Sequence, residues 1–468
     1  METADAKFVQ MTQAPVEKLI CRLAVPTIIS MLITSVYNMA DTFFVGKIGT
    51  SATGAVGVSF SLMAIIQSVG FMLGMGSGNY ISRLLGQKNR EEASRVASTG
   101  FFTALGFGLV FMALGLVFID PLVRLLGATD TIFPYARAYV SFILIGAPYM
   151  AASFVLNNLL RFQGSAFYSM IGIGTGAMLN IGLDPLFIFV FQMGTGGAAL
   201  ATIISQFVSF CILLFLSSRG GNIKLSIRQF TFRWRIYKEI FRGGLPSFYR
   251  QGLASISTIV LNFSAGPYGD AAIAAMSIVT RVFQFALSAL LGFGQGFQPV
   301  CGFNYGAKRY DRVLKAFWFC VKIAVVTLVL IAVVGFIFAG QIITVFRKDD
   351  LEVIEIGTLA LRLQCLTFPL SSWIVMNNML LQNIGKSMKA SILALARQGL
   401  FFLPAILTLP HILGLLGIQM SQPAADIATF LLAVPMGISV IRELKGLQKK
   451  QEAEAEGEKE HGEAAVQP

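Results

Sequence analysis

Charge is scarce in this chain and histidine is almost missing. Of the 468 residues only 13% are Asp, Glu, Lys or Arg, and just two, His411 and His461, are histidine. Two distant histidines exclude a histidine-based metal centre. The five cysteines (Cys21, Cys211, Cys301, Cys320 and Cys365) form no CxxC pair, which excludes a zinc motif and offers no disulfide framework. A removable signal peptide is also lacking: residues 1–17 are polar, without a short apolar core or small-residue cleavage site. The first apolar run is therefore expected to remain as a helix.

Apolar sequence is what the chain has in abundance. It is 55% hydrophobic, with a mean hydropathy of +0.71. Crossing a bilayer takes roughly 20 apolar residues. Twelve such runs are predicted, at 19–45, 54–80, 94–119, 135–160, 166–190, 196–217, 236–264, 271–299, 313–340, 356–381, 388–410 and 418–441. Six fall in each half, and the halves repeat. An offset of 220 residues pairs Pro26 with Pro246, Gly74 with Gly294, Gly76 with Gly296, Lys88 with Lys308, and Asn157-Asn158 with Asn377-Asn378. An ungapped register of this length reads as a duplication, and duplicated membrane halves suggest a transporter with its site between or within them. The expected fold is all-α and integral to the membrane, with twelve helices in two pseudo-symmetric six-helix bundles. Its parts are a cytoplasmic N-terminus (1–17), a first lobe (18–218), a cytoplasmic linker (219–235), a second lobe (236–441) and a charged cytoplasmic tail (442–468).

A net charge of +12 would suggest nucleic acid in a soluble protein, but here the basic residues sort by loop. With the N-terminus inside, 26 of the 36 Lys and Arg lie at one face, six at the other and four within spans. That asymmetry orients both termini to the cytoplasm of a cell inner membrane. It implies lipid headgroups as neighbours and no nucleic-acid partner.

Of the 24 acidic residues, only Asp41, Asp184 and Asp426 lie clearly inside predicted spans. An Asp at a helix centre costs about 2.5–3.5 kcal/mol on insertion scales, so intramembrane acids are candidates for function. Thr34, Tyr37, Asn38 and Asp41 recur at three- and four-residue spacing and form one polar stripe. Asn180 and Asp184 share a face of the fifth helix, where Pro185 removes the donor to the Ile181 carbonyl. Ala198, Thr202 and Gln206 make a similar stripe on the sixth. Oxygen groups of this kind suit a proton or a hard monovalent cation such as sodium. Asp426, near the outer end of the last span, reads equally well as a solvated interfacial acid.

At these residues the chain resembles the multidrug and toxic compound extrusion family. The resemblance rests on Tyr37-Asn38-Met39-Ala40-Asp41-Thr42-Phe43-Phe44-Val45-Gly46, on Gly74-Met75-Gly76 with Gly86-Gln87-Lys88, on Asn180 with Asp184-Pro185, and on Arg250-Gln251 and Arg397-Gln398. It covers residues 15–445 and is similar to the prokaryotic branch with carboxylates in the N-terminal lobe. The resemblance implies a coupling site for Na+ or H+ at Asp41, Asn180, Asp184, Ala198 and Thr202, with Tyr37, Asn38, Tyr139 and Asn157 lining the cavity. It further implies a V-shaped pair of lobes that exchanges cationic amphipathic compounds for the ion by alternating access, with no cofactor and as a monomer. Metal binding beyond a sodium ion at Asp41, Asn180, Asp184 and Thr202 is not expected.

Arg250, Arg281 and Arg397 stand within spans of the second half, opposite Ser30, Ser61 and Ala177. Either they pin helices through carbonyls and Asn side chains or they bind anionic groups. The second reading supports an alternative function, flipping of an anionic lipid-linked saccharide. A remote alternative is an intramembrane aspartyl protease, although Gly182-Leu183-Asp184 is only a fragment of the expected signature. Gly74, Gly76, Gly294 and Gly296 lack the strand and the following Lys-Ser/Thr of a phosphate loop, and read as sites of close helix packing.

Overall fold

The computed structural model describes residues 4–219, 223–348 and 350–464. Residues 1–3 of the N-terminus, 220–222 of the linker and 465–468 of the tail lie outside the described residues. The element order is α1 (Ala4–Gln13), α2 (Val16–Gly46), α3 (Thr50–Gly86), α4 (Arg90–Val117), α5 (Ile119–Leu125), α6 (Phe133–Phe162), α7 (Ala166–Pro185) and α8 (Gly194–Arg219) in the first half. The second half holds α9 (Trp234–Ala265), α10 (Asp270–Gly306), α11 (Tyr310–Ile337), α12 (Ala339–Phe346), α13 (Leu351–Thr367), α14 (Leu370–Asn383), α15 (Ser387–Leu395), α16 (Leu403–Leu413) and α17 (Leu415–Ala464).

Among the described residues, ten helical segments are long and apolar enough to cross a membrane, and α13 with α14, bent by 54°, makes an eleventh. The twelfth expected span is α9. Its 32 residues reach about 48 Å at ~1.5 Å per residue. Arg242, Arg250 and Gln251 dilute its apolar character, because much of it faces the other lobe and not lipid. Proline explains the irregularities of the fifth span in each lobe. A π-helical stretch, Leu186–Val190, follows Pro185, and another, Ala396–Phe402, precedes Pro404. A ring without an N–H relaxes the local hydrogen-bond ladder.

The repeat is visible in backbone detail. Lys88 and Lys308 both take left-handed conformations, with φ of 60° and 58°. Each sits in the same turn, closed by Asn89 N–H to Leu84 O at 2.9 Å and by Arg309 N–H to Asn304 O at 2.8 Å. The paired glycines divide their work alike. Gly74 packs within its lobe on Phe154 and Asn158, as Gly294 does on Met376 and Met379. Gly76 instead abuts Ile240 and Gly244 of the second lobe, while Gly296 abuts Ala24 of the first. Close packing, the role expected for these glycines, thus takes two forms, one inside each lobe and one between lobes.

The lobes meet where α2 and α3 cross α9 and α10. The contact lies at the end that carries the N-terminus, here called the inner end. Every residue of α3 from Leu73 to Asn79 and of α10 from Gly294 to Asn304 is buried. Toward the other end, none of Met31–Val36, Phe248–Ile256 or Arg281–Ala289 is buried on any face. Runs of more than one and a half turns without a buried side mean that the lobes diverge there and leave a cleft. Arg83 pairs with Glu239 across the closed end at 3.2 Å. The N-terminal residues, polar in sequence, form α1 across the same end. Lys7 Nζ donates to Ser165 Oγ at 2.6 Å in the first lobe, and Asn304 Nδ2 of the second donates to Met11 O at 3.0 Å. The connection between lobes is extended around a short turn at Ile227–Gln229, and its Lys224 and Ser226 N–H groups donate to Ser94 and Ser98 of α4. The last helix runs without a break into the charged tail.

Candidate functional site

The polar stripes of α2, α7 and α8 come together in the outer half of the first lobe. Asp184, Asn180 and Thr202 are 0%, 1% and 1% exposed. Four residues is one helical turn, so Asn180 lies directly beneath Asp184. With its amide oriented so that donor meets acceptor, Asn180 donates to Asp184 Oδ2 at 3.0 Å and accepts from the Thr202 N–H at 3.2 Å. In the opposite orientation its nitrogen faces the Thr202 hydroxyl at 3.4 Å and its oxygen faces the carboxylate, a repulsive arrangement. Thr202 Oγ1 donates to Ala198 O at 3.0 Å, which assigns Ala198 a backbone role. From α2, Tyr37 turns its hydroxyl toward Thr202 and Gln206, while Tyr139 of α6, close to Thr202, donates its hydroxyl to Met63 Sδ at 3.8 Å. Both tyrosines are buried.

Asp41 completes this group. It lies near Asp184, Tyr37 and Tyr139, and its Oδ1 is buried without a hydrogen-bond partner. Two neighbouring carboxylates shielded from water, one of them with an orphaned oxygen, demand a positive charge or a proton. The donor set is all oxygen and amide, which fits sodium in chemistry as well as a proton.

One residue expected at this cavity is elsewhere. Asn157 lies 18 residues beyond Tyr139 on the same helix, about 27 Å inward at ~1.5 Å per residue. There it accepts a hydrogen bond from Ser169. Asn38 is exposed, a rotation of about 100° from buried Tyr37.

The three arginines of the second lobe separate. Arg397 is neutralised: its Nε donates to Asp426 Oδ1 at 2.8 Å and its Nη2 to Ser371 Oγ at 3.3 Å, and its guanidinium lies 5.3 Å from the Phe283 ring. Asp426 is 0% exposed and also accepts from Gln364 at 2.9 Å and Gln422 at 3.0 Å. This corrects the interfacial reading of Asp426. The signal was present, since Gln422 and Asp426 repeat the spacing of Asn180 and Asp184 and align with Thr202 and Gln206 at the 220-residue offset. Breaking a buried pair strands a charge. Asp426→Asn is expected to cost about 3–5 kcal/mol, read as a lower thermal midpoint of the purified protein, with partial recovery when Arg397→Gln is added. An unchanged midpoint would show that the pair contributes nothing. Arg281 is exposed, and Arg250 is half-buried at the inner limit of the cleft.

Two like lobes, joined at one end and carrying buried charge beside an open half, define a polytopic membrane transporter. The chain belongs to the MatE family: the family model matches residues 26–186 and 246–407, two blocks whose starts repeat the 220-residue offset. It is similar to the multidrug export protein MepA of Staphylococcus aureus (strain MSSA476), 28% identical over 428 residues and covering 90% of this chain and 93% of that one. Among solved structures it is similar to a MATE protein in complex with MaL6, with TM-score 0.88, 28% identity and coverage of 94% and 99%. A MOP superfamily transporter from Pyrococcus furiosus, described as having a binding pocket of reversed polarity, matches with TM-score 0.86, 28% identity and coverage of 93% and 98%. Family members are transporters, so the protein is not an enzyme and the aspartyl protease reading falls.

Proposed function

We propose that the protein exports organic cations across the cell membrane in exchange for sodium ions or protons, coupling the two fluxes in its first lobe. The observation that carries this reading is the buried, unpartnered Oδ1 of Asp41 beside the fully buried Asp184. Asp41, Asn180, Asp184 and Thr202 form the ion site, with Ala198 holding Thr202 and with Tyr37 and Tyr139 walling it. A cationic substrate and the ion compete for the same negative charge, so each displaces the other. The lobes, 18–218 and 236–441, rock about the inner contact, because an ion drives such motion only by binding one state more tightly than the other. The excess of Lys and Arg at the inner end supports cytoplasmic termini and an inner-membrane location. Both halves of the pathway lie in one chain, so a monomer suffices.

The similarity to multidrug exporters supports small-molecule cargo. The flippase reading relied on three arginines, and Arg397 no longer counts toward it once Asp426 is paired with it. Transport of a cationic dye into proteoliposomes, with sodium and proton gradients imposed separately, tests the proposal. One gradient is expected to drive accumulation and to collapse as the dye enters. No uptake with either, combined with rescue of envelope synthesis in cells, would favour the flippase.

A further inference from the structure

The inner limit of the cleft holds a second buried charge cluster, and it is positive. Arg161, near the end of α6, is 1% exposed. Its guanidinium donates to Asn158 Oδ1 at 2.6 Å, to Met75 Sδ at 3.0 Å and to Gln295 Oε1 of the other lobe, while its Nε has no partner. Arg250 lies near Arg161, and among the described residues neither is ion-paired with a carboxylate. Around them the polar groups are neutral. Gln251 Nε2 donates to Gln67 Oε1 at 3.0 Å across the lobes, and Gln298, one turn inward of Gln295, leaves both amide atoms unpartnered. Arg250 stands where α9 changes from buried (Gly243, Gly244, Pro246, Ser247) to open (Phe248–Ile256), so its head is reached from the cleft.

Arg161 is removed from water without a counter-charge, which is unfavourable unless an anion joins it, and Arg250 is the arginine that the cleft reaches. The arrangement differs from that of Arg397, which has Asp426. It also depends on the closed inner contact, because Arg161 is held through Gln295 of the opposite lobe. We infer that Arg161 and Arg250 form an anion site on the floor of the cleft, which takes either chloride or the carboxylate of a zwitterionic substrate. The substrate part rests on the efflux reading above. A zwitterion then places its carboxylate on Arg250.

Rhodamine B, which carries a carboxylate, and its permanently cationic ethyl ester share one skeleton and separate the sources. In proteoliposomes Arg250→Gln is expected to lower export of rhodamine B about tenfold relative to the ester, the scale of one lost charge-assisted contact. Arg250→Lys should keep most of that discrimination, since it keeps the charge. Thermal unfolding of the purified protein at fixed sodium, with chloride exchanged for bulky gluconate, reads the free anion. Chloride raises the midpoint of the wild type and not of Arg250→Gln if the site takes chloride. Discrimination lost without a chloride effect assigns the site to substrate carboxylate. Unaltered discrimination together with no chloride effect in a folded variant overturns the inference, whereas failure of the wild type to export even the ester counts against the efflux reading.

Discussion

Asp41→Asn leaves the protein inserted and folded and lowers gradient-driven efflux of a cationic dye by about 100-fold, the upper range of a coupling free energy of ~1–3 kcal/mol. The substitution keeps the size of the side chain, removes its charge and replaces one acceptor oxygen with an NH2 donor. Asp41 Oδ1 has no internal partner, so no hydrogen bond is lost at that oxygen. A purely structural carboxylate would behave differently, because its removal would lower stability before it lowered coupling. Asp184→Asn is the informative contrast. Asp184 is bonded to Asn180, so its loss disturbs packing as well as charge. Efflux and thermal midpoint should fall together there, and separately at Asp41.

Gly76→Val prevents the lobes from closing at the inner end. A Cβ at Gly76 would overlap the Ile240 carbonyl and stand 3.0 Å from the Gly244 nitrogen, and helix backbone cannot yield as a flexible side chain can. Overpacking commonly costs ~1–3 kcal/mol, enough to shift a two-state equilibrium by about 5- to 150-fold. Each lobe should still fold, since the clash is with the other lobe. A cysteine at Ser82, which lies against Gly302 of the second lobe, reports the change. It is expected to resist a maleimide in the wild type and to react in Gly76→Val. Gly106→Val, where a Cβ meets nothing within 4 Å, should leave both the labelling and transport as they are. Protection that persists in Gly76→Val with normal efflux would show that the inner contact is not part of the cycle.

The fold was legible because its main signals are local and additive. Long apolar runs give the spans, and an ungapped repeat gives the two lobes. The first-lobe cluster was readable for the same reason: Asn180 and Asp184 share one turn, as do Ala198, Thr202 and Gln206, and stripes of intramembrane oxygen atoms have few other uses. Pairings between distant helices were not readable. Nothing near Arg397 in sequence announces Asp426, 29 residues away, as its partner, so one neutral pair looked like an unexplained base and an unexplained acid. Arg161 was hidden by its place at the end of a predicted span, where a basic residue normally reaches headgroups. Only the crossing of α6, α3 and α10 shows that it is buried. Asn157 was misplaced because membership of the same helix as Tyr139 says nothing of depth, and five turns separate them.

Competition between an ion and a cationic substrate for the carboxylates of the first lobe is the step on which the proposed exchange depends. Release of bound ion from purified protein on addition of a cationic dye measures that competition without any transport step. Stoichiometric release of protons or sodium by the wild type, absent in Asp41→Asn, is the predicted result. Dye binding that releases neither ion, or release undiminished in Asp41→Asn, would contradict it.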